Sequence, residues 1–291
     1  MKYASVLAVL FITTINVLLV IFIDNLVAMA ILCSIATGGG VAILYFYLKK
    51  SVGVMEQQLL EMEEENQRVE NIRRNFVANV THELNTPLTS ISGFIETLQE
   101  GAAEDPETRT KFLDIIAIET ARLQRLIEDL LVLSEIENKR ESTLETINIK
   151  YSVDKTVDLV LPIAEKRGIQ ILVDVDDALT IEGNEDRFIQ MMMNLIENAI
   201  KYSNENGRVW VDGHETNGRM VLSVRDEGIG IDKQHQERLF ERFYRVDKSR
   251  SRKVGGTGLG LSIVKHIAAL FDAELKLESE PGKGSTFSLL F

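Results

Sequence analysis

Cysteine is almost missing. Cys33 is the single thiol in 291 residues, so no intramolecular disulfide can staple this fold. It lies in an apolar run, where it reads as one more small apolar residue. Positive charge is in deficit as well: 32 Lys and Arg stand against 44 Asp and Glu, a net charge of −12. That balance argues against general nucleic-acid binding by the soluble part and favours solubility. Proline occurs only 4 times, so a proline inside a helical pattern marks a position. No small-residue cleavage site follows the N-terminal apolar stretch, which argues against a removable signal peptide.

Long apolar runs are what the N-terminal part does have. Tyr3 to Ile23 and Leu26 to Leu48 are nearly free of charge, with only Asp24 and Asn25 between them. Each is about 20 residues, enough at 1.5 Å per residue to cross a hydrocarbon core of ~30 Å. The expectation is therefore a transmembrane hairpin of two helices in the lipid bilayer. Lys2 at one end and Lys49 and Lys50 at the other put both termini in the cytoplasm by the positive-inside tendency. Ser34, Thr37, Gly38, Gly39 and Gly40 fit either close helix approach or the ordinary glycine content of such spans.

After the lysines, Val52, Met55, Leu59, Met62, Val69, Phe76 and Val80 fall on a 3,4 spacing, with Asn66 and Arg73 in two seam places. The pattern fits a parallel two-stranded coiled coil or one helix packed on a bundle. Asn66 favours the dimer, because a buried Asn can pair with its symmetry mate and fix register. The apolar face continues through Leu84, Leu88, Ile91, Ile95 and Leu98. At about 100° per residue His82 lies some 200° from Val80, which points it to solvent with Thr86 one turn along. Glu83 follows and can accept the proton of one ring nitrogen, leaving the other as a nucleophile. Pro87 lacks an N–H and crowds the carbonyl of Glu83, which predicts a bend beside the histidine. Gly101 and Pro106 mark a turn, and a second amphipathic helix is expected from about Glu107 to Asn138. Two such hairpins bury their long stripes as a four-helix bundle.

From Ile147 onward the pattern is α/β. Ile169, Ile171, Val173 and Val175 alternate as a strand, and Asn184 caps a helix to about Tyr202. Val209 and Val211 with Met220, Leu222 and Val224 suggest a hairpin. A helix near Leu259 to Phe271 and two strands around Gly282 and Gly284 close the chain. In "NLIENAIKYS", Asn194 and Asn198 share a helix face and offer amide oxygens suited to a phosphate-bound Mg²⁺; backbone-satisfying amides are the plainer reading. "DEGIG" puts Asp226 just past a strand with Gly228 and Gly230 in a tight turn, and "GGTGLGLSI" places a glycine-rich loop before a helix N-terminus, where amides receive phosphate. Between them, Arg245, Lys248, Arg250, Arg252 and Lys253 form a basic stretch bounded by glycines, as a nucleotide lid would be.

These stretches, in this order, resemble bacterial two-component sensor histidine kinases. "THELNTPLTSISGF" is similar to that family's H box, "NLIENAIKYS" to its N box, "DEGIG" to its first glycine box, "LFERFYRVD" to its F box and "GGTGLGLSI" to its second. The resemblance covers roughly Asn71 to Phe291. It implies a dimerisation and histidine-phosphotransfer hairpin, a four-helix bundle in the homodimer, joined to an α/β sandwich ATP-binding domain of GHKL type. It further implies that His82 accepts the γ-phosphoryl group of ATP with Glu83 as adjacent base, and that Asn198, helped by Asn194, ligates Mg²⁺. Lys201, Tyr202 and Arg245 would lie near phosphate or ribose, and Asp226 would hydrogen-bond the adenine amino group. Gly228, Gly230, Gly256, Thr257, Gly258, Leu259 and Gly260 belong to the glycine boxes. The implied partner is the receiver domain of a response regulator, whose aspartate takes the phosphoryl group. Thr86 occupies the place associated with dephosphorylating that regulator; an ordinary helical threonine is the alternative.

Two departures stand out. Asn85 replaces the family's common lysine or arginine. The H box looks most like the phosphate-regulon sensor branch, yet no extracytoplasmic domain is evident and no HAMP or PAS domain fits between Lys50 and Asn71. The expected division is residues 1–50 as membrane hairpin, 51–75 as signalling linker, 76–142 as phosphoacceptor hairpin and 143–291 as ATP-binding domain. An ATP-driven clamp of the Hsp90 and gyrase kind has no use for the H box. A non-catalytic adaptor tolerates loss of nucleotide residues, and none is lost.

Overall fold

The architecture described is that of a computed structural model covering residues 2–34, 40–137, 144–246 and 256–291. The chain divides into two compact units, Met1–Asn75 and Phe76–Phe291.

The first unit holds helix α1, Lys2–Ser34, and the opening turns of α2, Gly40–Gln99. Val9–Ala30 of α1, 22 residues of mean hydropathy 2.2, is the one stretch among the described residues long and apolar enough to cross a membrane. The expected reversal at Asp24 and Asn25 is not formed: α1 continues through both. An Asp or Asn inside a helix costs at most about 0.7 kcal/mol relative to alanine. Ending one helix and starting another there would strip intrahelical partners from several backbone groups in an apolar stretch. Continuation wins, and the two-span hairpin is corrected to one apolar helix. Thr37, Gly38 and Gly39 lie outside the described residues. On α2, Val52, Leu59, Met62 and Val69 of the sequence seam are exposed.

In the second unit α2 continues through Pro87, whose side chain is buried, to Gln99. The turn uses Gly101 at φ 118°, a left-handed value glycine adopts without strain, and a 3₁₀ turn at Ala102–Glu104. Helix α3, Pro106–Glu137, then starts with Asp105 accepting from the Thr108 amide at 3.1 Å and proline at its first position. The two helices meet through Phe94 and Phe112, ring centroids 4.9 Å apart. Leu126, Leu133 and Ile136 of the predicted α3 stripe are buried, while Ile127 is exposed.

The C-terminal portion of this unit is a two-layer α/β sandwich. Its five-stranded sheet has the order β2 (Gln170–Val175), β4 (Arg208–Thr216), β5 (Arg219–Asp226), β7 (Gly284–Leu290) and β6 (Glu274–Glu280). Only β2 and β4 are parallel; the other pairs are antiparallel. A short pair, β1 (Glu145–Asn148) with β3 (Thr180–Gly183), stands apart. Helices α4 (Ile149–Lys166), α5 (Glu185–Tyr202) and α7 (Gly260–Leu270) cover the sheet, with a short α6 (Lys233–Gln236) before the F box. Alternation along β4 buries Val209 and Val211, and β5 adds Leu222 and Val224; these meet Phe188, Met192, Leu195 and Ile196 of α5 and Ile263 and Ile267 of α7. Such burial contributes roughly 1.5–3 kcal/mol per large side chain. Asn184 caps α5, its Oδ1 accepting from the Arg187 amide at 2.9 Å, with Glu185 and Asp186 favourably placed in the first turn.

Candidate nucleotide and phosphoacceptor sites

Helix α5 buries one face in the core, and the same 3.6-residue period turns Asn194, Glu197, Asn198 and Lys201 the other way, into a cavity of about 580 Å³. That volume is in the range of small-molecule sites. Of the residues singled out from the sequence, Asn194, Asn198, Lys201, Tyr202, Asp226, Gly230, Arg245, Gly256, Thr257, Gly258 and Gly260 line it. Gly228 and Leu259 do not. Leu259 is wholly buried beneath the loop, and Gly228 serves the turn by donating its amide to Asp226 Oδ1 at 2.8 Å. Lys248, Arg250, Arg252 and Lys253 lie outside the described residues.

The glycines are there because backbone passes close by. Gly230 has φ 63°, and a Cβ on it would stand 2.0 Å from the Glu280 carbonyl oxygen. No side chain fits such a place. At Gly260 a Cβ would meet Asn194 Oδ1 at 2.8 Å, so the second glycine box lets the helix start against the asparagine face.

At one end of the cavity Asp226 is buried, its Oδ1 accepting from the Gly228 and Ser285 amides at 2.8 and 3.3 Å. Burial pushes its pKa up, and those two amides oppose the shift. Its carboxylate is an acceptor suited to an exocyclic amine. The other end is cationic. Burial, with Arg125 nearby, lowers the Lys201 pKa to about 8, while Glu197 pulls the other way. Arg245 is almost enclosed, its side chain 8% exposed. Burial also raises the pKa values of Tyr202 and Glu197. Asn194 Nδ2 donates to the Gln190 carbonyl at 3.1 Å, while the Asn198 carboxamide makes no hydrogen bond among the described residues. Asn198 is thus the amide available to a hydrated Mg²⁺ on a bound polyphosphate, which it fits as a neutral oxygen ligand.

Among the wall residues not read from the sequence are Arg125 and Asp129 of α3, and Glu197 of α5. A signal existed. Arg122, Arg125 and Asp129 lie at i, i+3 and i+7, a charged line along one side of an amphipathic helix, and Glu197 lies on the Asn194–Lys201 face. Asp129 Oδ2 accepts the Thr257 hydroxyl at 2.6 Å. Burial raises its pKa, Glu197 reinforcing and Thr257 opposing.

His82 is exposed on α2 in a separate shallow hollow with Thr81, Asn85, Thr86, Thr89 and Ser90; the structure does not bring it into the nucleotide cavity. Thr86 is exposed, its hydroxyl donating back to the His82 carbonyl at 3.0 Å. Glu83 is not paired with the imidazole. Its Oε2 accepts from Arg122 Nη2 at 3.1 Å and Arg245 Nη2 at 2.9 Å.

An exposed imidazole on a helical hairpin, beside a nucleotide-sized cavity of a helix-and-sheet sandwich, defines a phosphoacceptor module joined to an ATPase module. The comparisons agree. The profile of the His Kinase A (phospho-acceptor) domain matches residues 72–139, and that of the histidine kinase-, DNA gyrase B- and HSP90-like ATPases matches residues 183–291. The sensor-like histidine kinase SenX3 of Mycolicibacterium smegmatis is 40% identical over 231 residues, 79% of this chain and 60% of its own length. The sensor histidine kinase WalK of Bacillus subtilis is 40% identical over 228 residues, 77% of this chain and 37% of its own. The chain thus spans between 37% and 60% of the length of these two relatives. Among solved structures, histidine kinase ThkA in complex with the response regulator protein TrrA matches with TM-score 0.61 and 26% identity over 79% of this chain and 65% of that one. The Acinetobacter baumannii histidine kinase AdeS shares the fold, with TM-score 0.58, 24% identity and coverage of 72% and 96%. The chain belongs to the two-component sensor histidine kinases.

Proposed function

We propose that this chain is a membrane-anchored protein histidine kinase that phosphorylates His82 from ATP and passes the phosphoryl group to an aspartate of a response regulator. The observation carrying the proposal is one compact unit that holds both a solvent-facing His82 flanked by Glu83 and a cavity lined by Asn198, Lys201, Asp226 and Arg245.

Asp226 receives the adenine amino group, while Lys201, Tyr202 and Arg245 meet ribose and phosphates. Asn198, with Asn194 beside it, would hold Mg²⁺, which when bound would offset charge on the transferred group. One imidazole nitrogen of His82 attacks the γ-phosphorus: a P–N bond forms, the bond to the β–γ bridging oxygen breaks, and ADP leaves. The proton on the other nitrogen moves to Glu83. In the second step the P–N bond breaks as a regulator carboxylate oxygen bonds phosphorus. ThkA was solved with its response regulator, which supports a receiver domain as partner. Thr86, one turn from His82, orients the water that attacks phosphorus of the regulator's aspartyl phosphate, breaking its bond to the carboxylate and releasing inorganic phosphate.

A second copy of the hairpin covers the apolar side chains left exposed in one chain, among them Leu88, Ile95, Leu113 and Leu131. Val9–Ala30 anchors the protein in the membrane. The working parts are an anchor within residues 1–50, a linker over 51–75, a phosphoacceptor hairpin over 76–142 and an ATP-binding domain over 143–291.

The test is incubation of the full chain in detergent micelles with γ-labelled ATP and Mg²⁺, followed by acid and by alkali. Acid-labile, alkali-stable label that is absent from His82→Ala is the expected result. Equal label on His82→Ala overturns the assignment.

A further inference from the structure

Glu83, the base in the reading above, is shared between two guanidinium groups that belong to different parts of the molecule. Arg122 is on α3 of the same hairpin, with its side chain 9% exposed and Glu119 braced against it at 3.7 Å, so it travels with Glu83. Arg245 belongs to the ATPase portion. The Nη2 that donates to Glu83 also donates to the Thr257 carbonyl at 2.7 Å, and the side chain lines the nucleotide cavity.

Arg245 is also incompletely satisfied. Its Nε is buried and has no acceptor among the described residues. A buried, unpaired N–H on a cation is costly, and an oxyanion is the acceptor that relieves it. Phosphate oxygens entering the cavity offer this guanidinium a better partner set than one shared carboxylate oxygen. The other ties between hairpin and ATPase portion include the Thr257 hydroxyl to Asp129, the Arg187–Glu135 ion pair, Phe243 against Phe76 at 5.9 Å and Arg242 over the Phe76 ring at 5.1 Å, with Leu126, Leu133 and Ile136 in a shared apolar core. The first of these is a contact polyphosphate opposes. Asp129, Glu128 and Glu197 line the same cavity, faced by Arg125 and Lys201.

We propose that Arg245 exchanges partners: without nucleotide it clamps the ATPase portion to the hairpin through Glu83, and the phosphates of a nucleoside triphosphate draw it off. Arg122 is then the positioning residue that holds the freed base beside His82. While clamped, the base and the phosphate-binding cation neutralise each other, so the closed arrangement is inactive without any separate inhibitor. Loss of the γ-phosphate weakens the competing partner and lets the clamp re-form.

The inference rests on the kinase reading but is tested separately from it. In full chain carrying Cys33→Ser, held in detergent micelles, the affinity of a fluorescent ATP analogue is measured for Glu83 and for Glu83→Gln. Removing the competing charge is expected to tighten binding by about tenfold, the equivalent of roughly 1.4 kcal/mol. Unchanged affinity overturns the clamp, whether or not the protein phosphorylates itself. A second measurement does not depend on that variant. With Phe76→Cys and Phe243→Cys in the same background, disulfide trapping is expected to slow on adding a non-hydrolysable ATP analogue with Mg²⁺, and an equal rate also overturns it.

For Arg122 the readout is the split between KM and kcat of phosphohistidine formation. Glu83 is faced by Arg122, with Glu119 behind it, and by Arg245. Arg122→Met should lower the rate at saturating ATP and leave the KM for ATP unchanged, and Arg122→Lys should restore part of that rate. A saturated rate equal to the parent's would remove Arg122 from the proposal.

Discussion

The Thr257 hydroxyl donates to Asp129 at 2.6 Å, joining the second glycine box to the second helix of the hairpin across 128 residues of sequence. The acceptor is a carboxylate whose burial raises its pKa, so the folded state binds a proton more readily than the unfolded chain. A raised carboxylate pKa means that stability is lost as pH climbs through the carboxylate range and stays lost at neutral pH. Asp129→Asn keeps an oxygen for Thr257 and removes the buried charge. It should raise the melting temperature at pH 7, by about 2–4 °C for each kcal/mol relieved. The gain should shrink in acid. A gain of the same size at every pH from acid to neutral would contradict this account.

Lys201 predicts a pH dependence of nucleotide binding. Its folded-state pKa is lowered from 10.5 to about 8, so it is charged below that value and neutral above it, unless phosphate is bound. Affinity for ATP should therefore fall as pH rises through about 8, and binding near pH 8 should take up protons. Calorimetry in buffers of different ionisation enthalpy measures that uptake. The stability sign is the opposite: the unfolded chain binds more protons between about pH 8 and 10.5, so stability rises with pH there. Lys201→Met should flatten both slopes.

Asn198→Ala should abolish the Mg²⁺-dependent part of nucleotide affinity and leave the metal-independent part. The amide makes no hydrogen bond among the described residues, so its removal has little structural cost. Titrating nucleotide with Mg²⁺ and with a chelator separates the two parts. An undiminished Mg²⁺ effect in the variant would remove Asn198 from the metal's shell.

Gly230→Ala places a methyl group where the Glu280 carbonyl oxygen is 2.0 Å away, in a left-handed backbone conformation. The backbone of the turn and the strand end must both shift, at a cost of about 2 kcal/mol or more. Thermal unfolding should show the loss, with weaker nucleotide binding because Asp226 heads the same turn.

Thr86→Ala should leave autophosphorylation intact and slow dephosphorylation of the regulator. The variant forfeits an exposed hydroxyl whose present partner is only the His82 carbonyl. A regulator that loses phosphate at the parent rate would leave Thr86 with a helical role alone.

Much of this was legible because local periodicity carried it. The phase of α2 puts Pro87 inside and His82 outside, and the phase of α5 puts Leu195 in the core and Asn194 and Asn198 in the cavity. Asn184 announced its helix through a side chain's reach of three residues. What periodicity could not carry was pairing between elements. Glu83 meets Arg122 only because the turn at Gly101 sets the register of the two helices, and that register is not written in either helix alone. The strands β1 and β3 are four residues each, too short for alternation to declare them, and they pair across some thirty-five residues through α4. Asp24 and Asn25 misled because a polar pair between apolar runs looks like a turn, although two residues do not outweigh a helix able to continue.

The Phe243 amide donates to the Gly258 carbonyl at 2.8 Å, and Arg245 Nη2 to the Thr257 carbonyl at 2.7 Å. These two bonds draw the chain together like a purse string at the base of the segment between the F box and the second glycine box. Closing a longer segment at such a neck adds only about 0.6 kcal/mol for each doubling of its length. A longer connection between the two ends would therefore cost the fold little, so long as the Arg245–Thr257 bond at its root is kept.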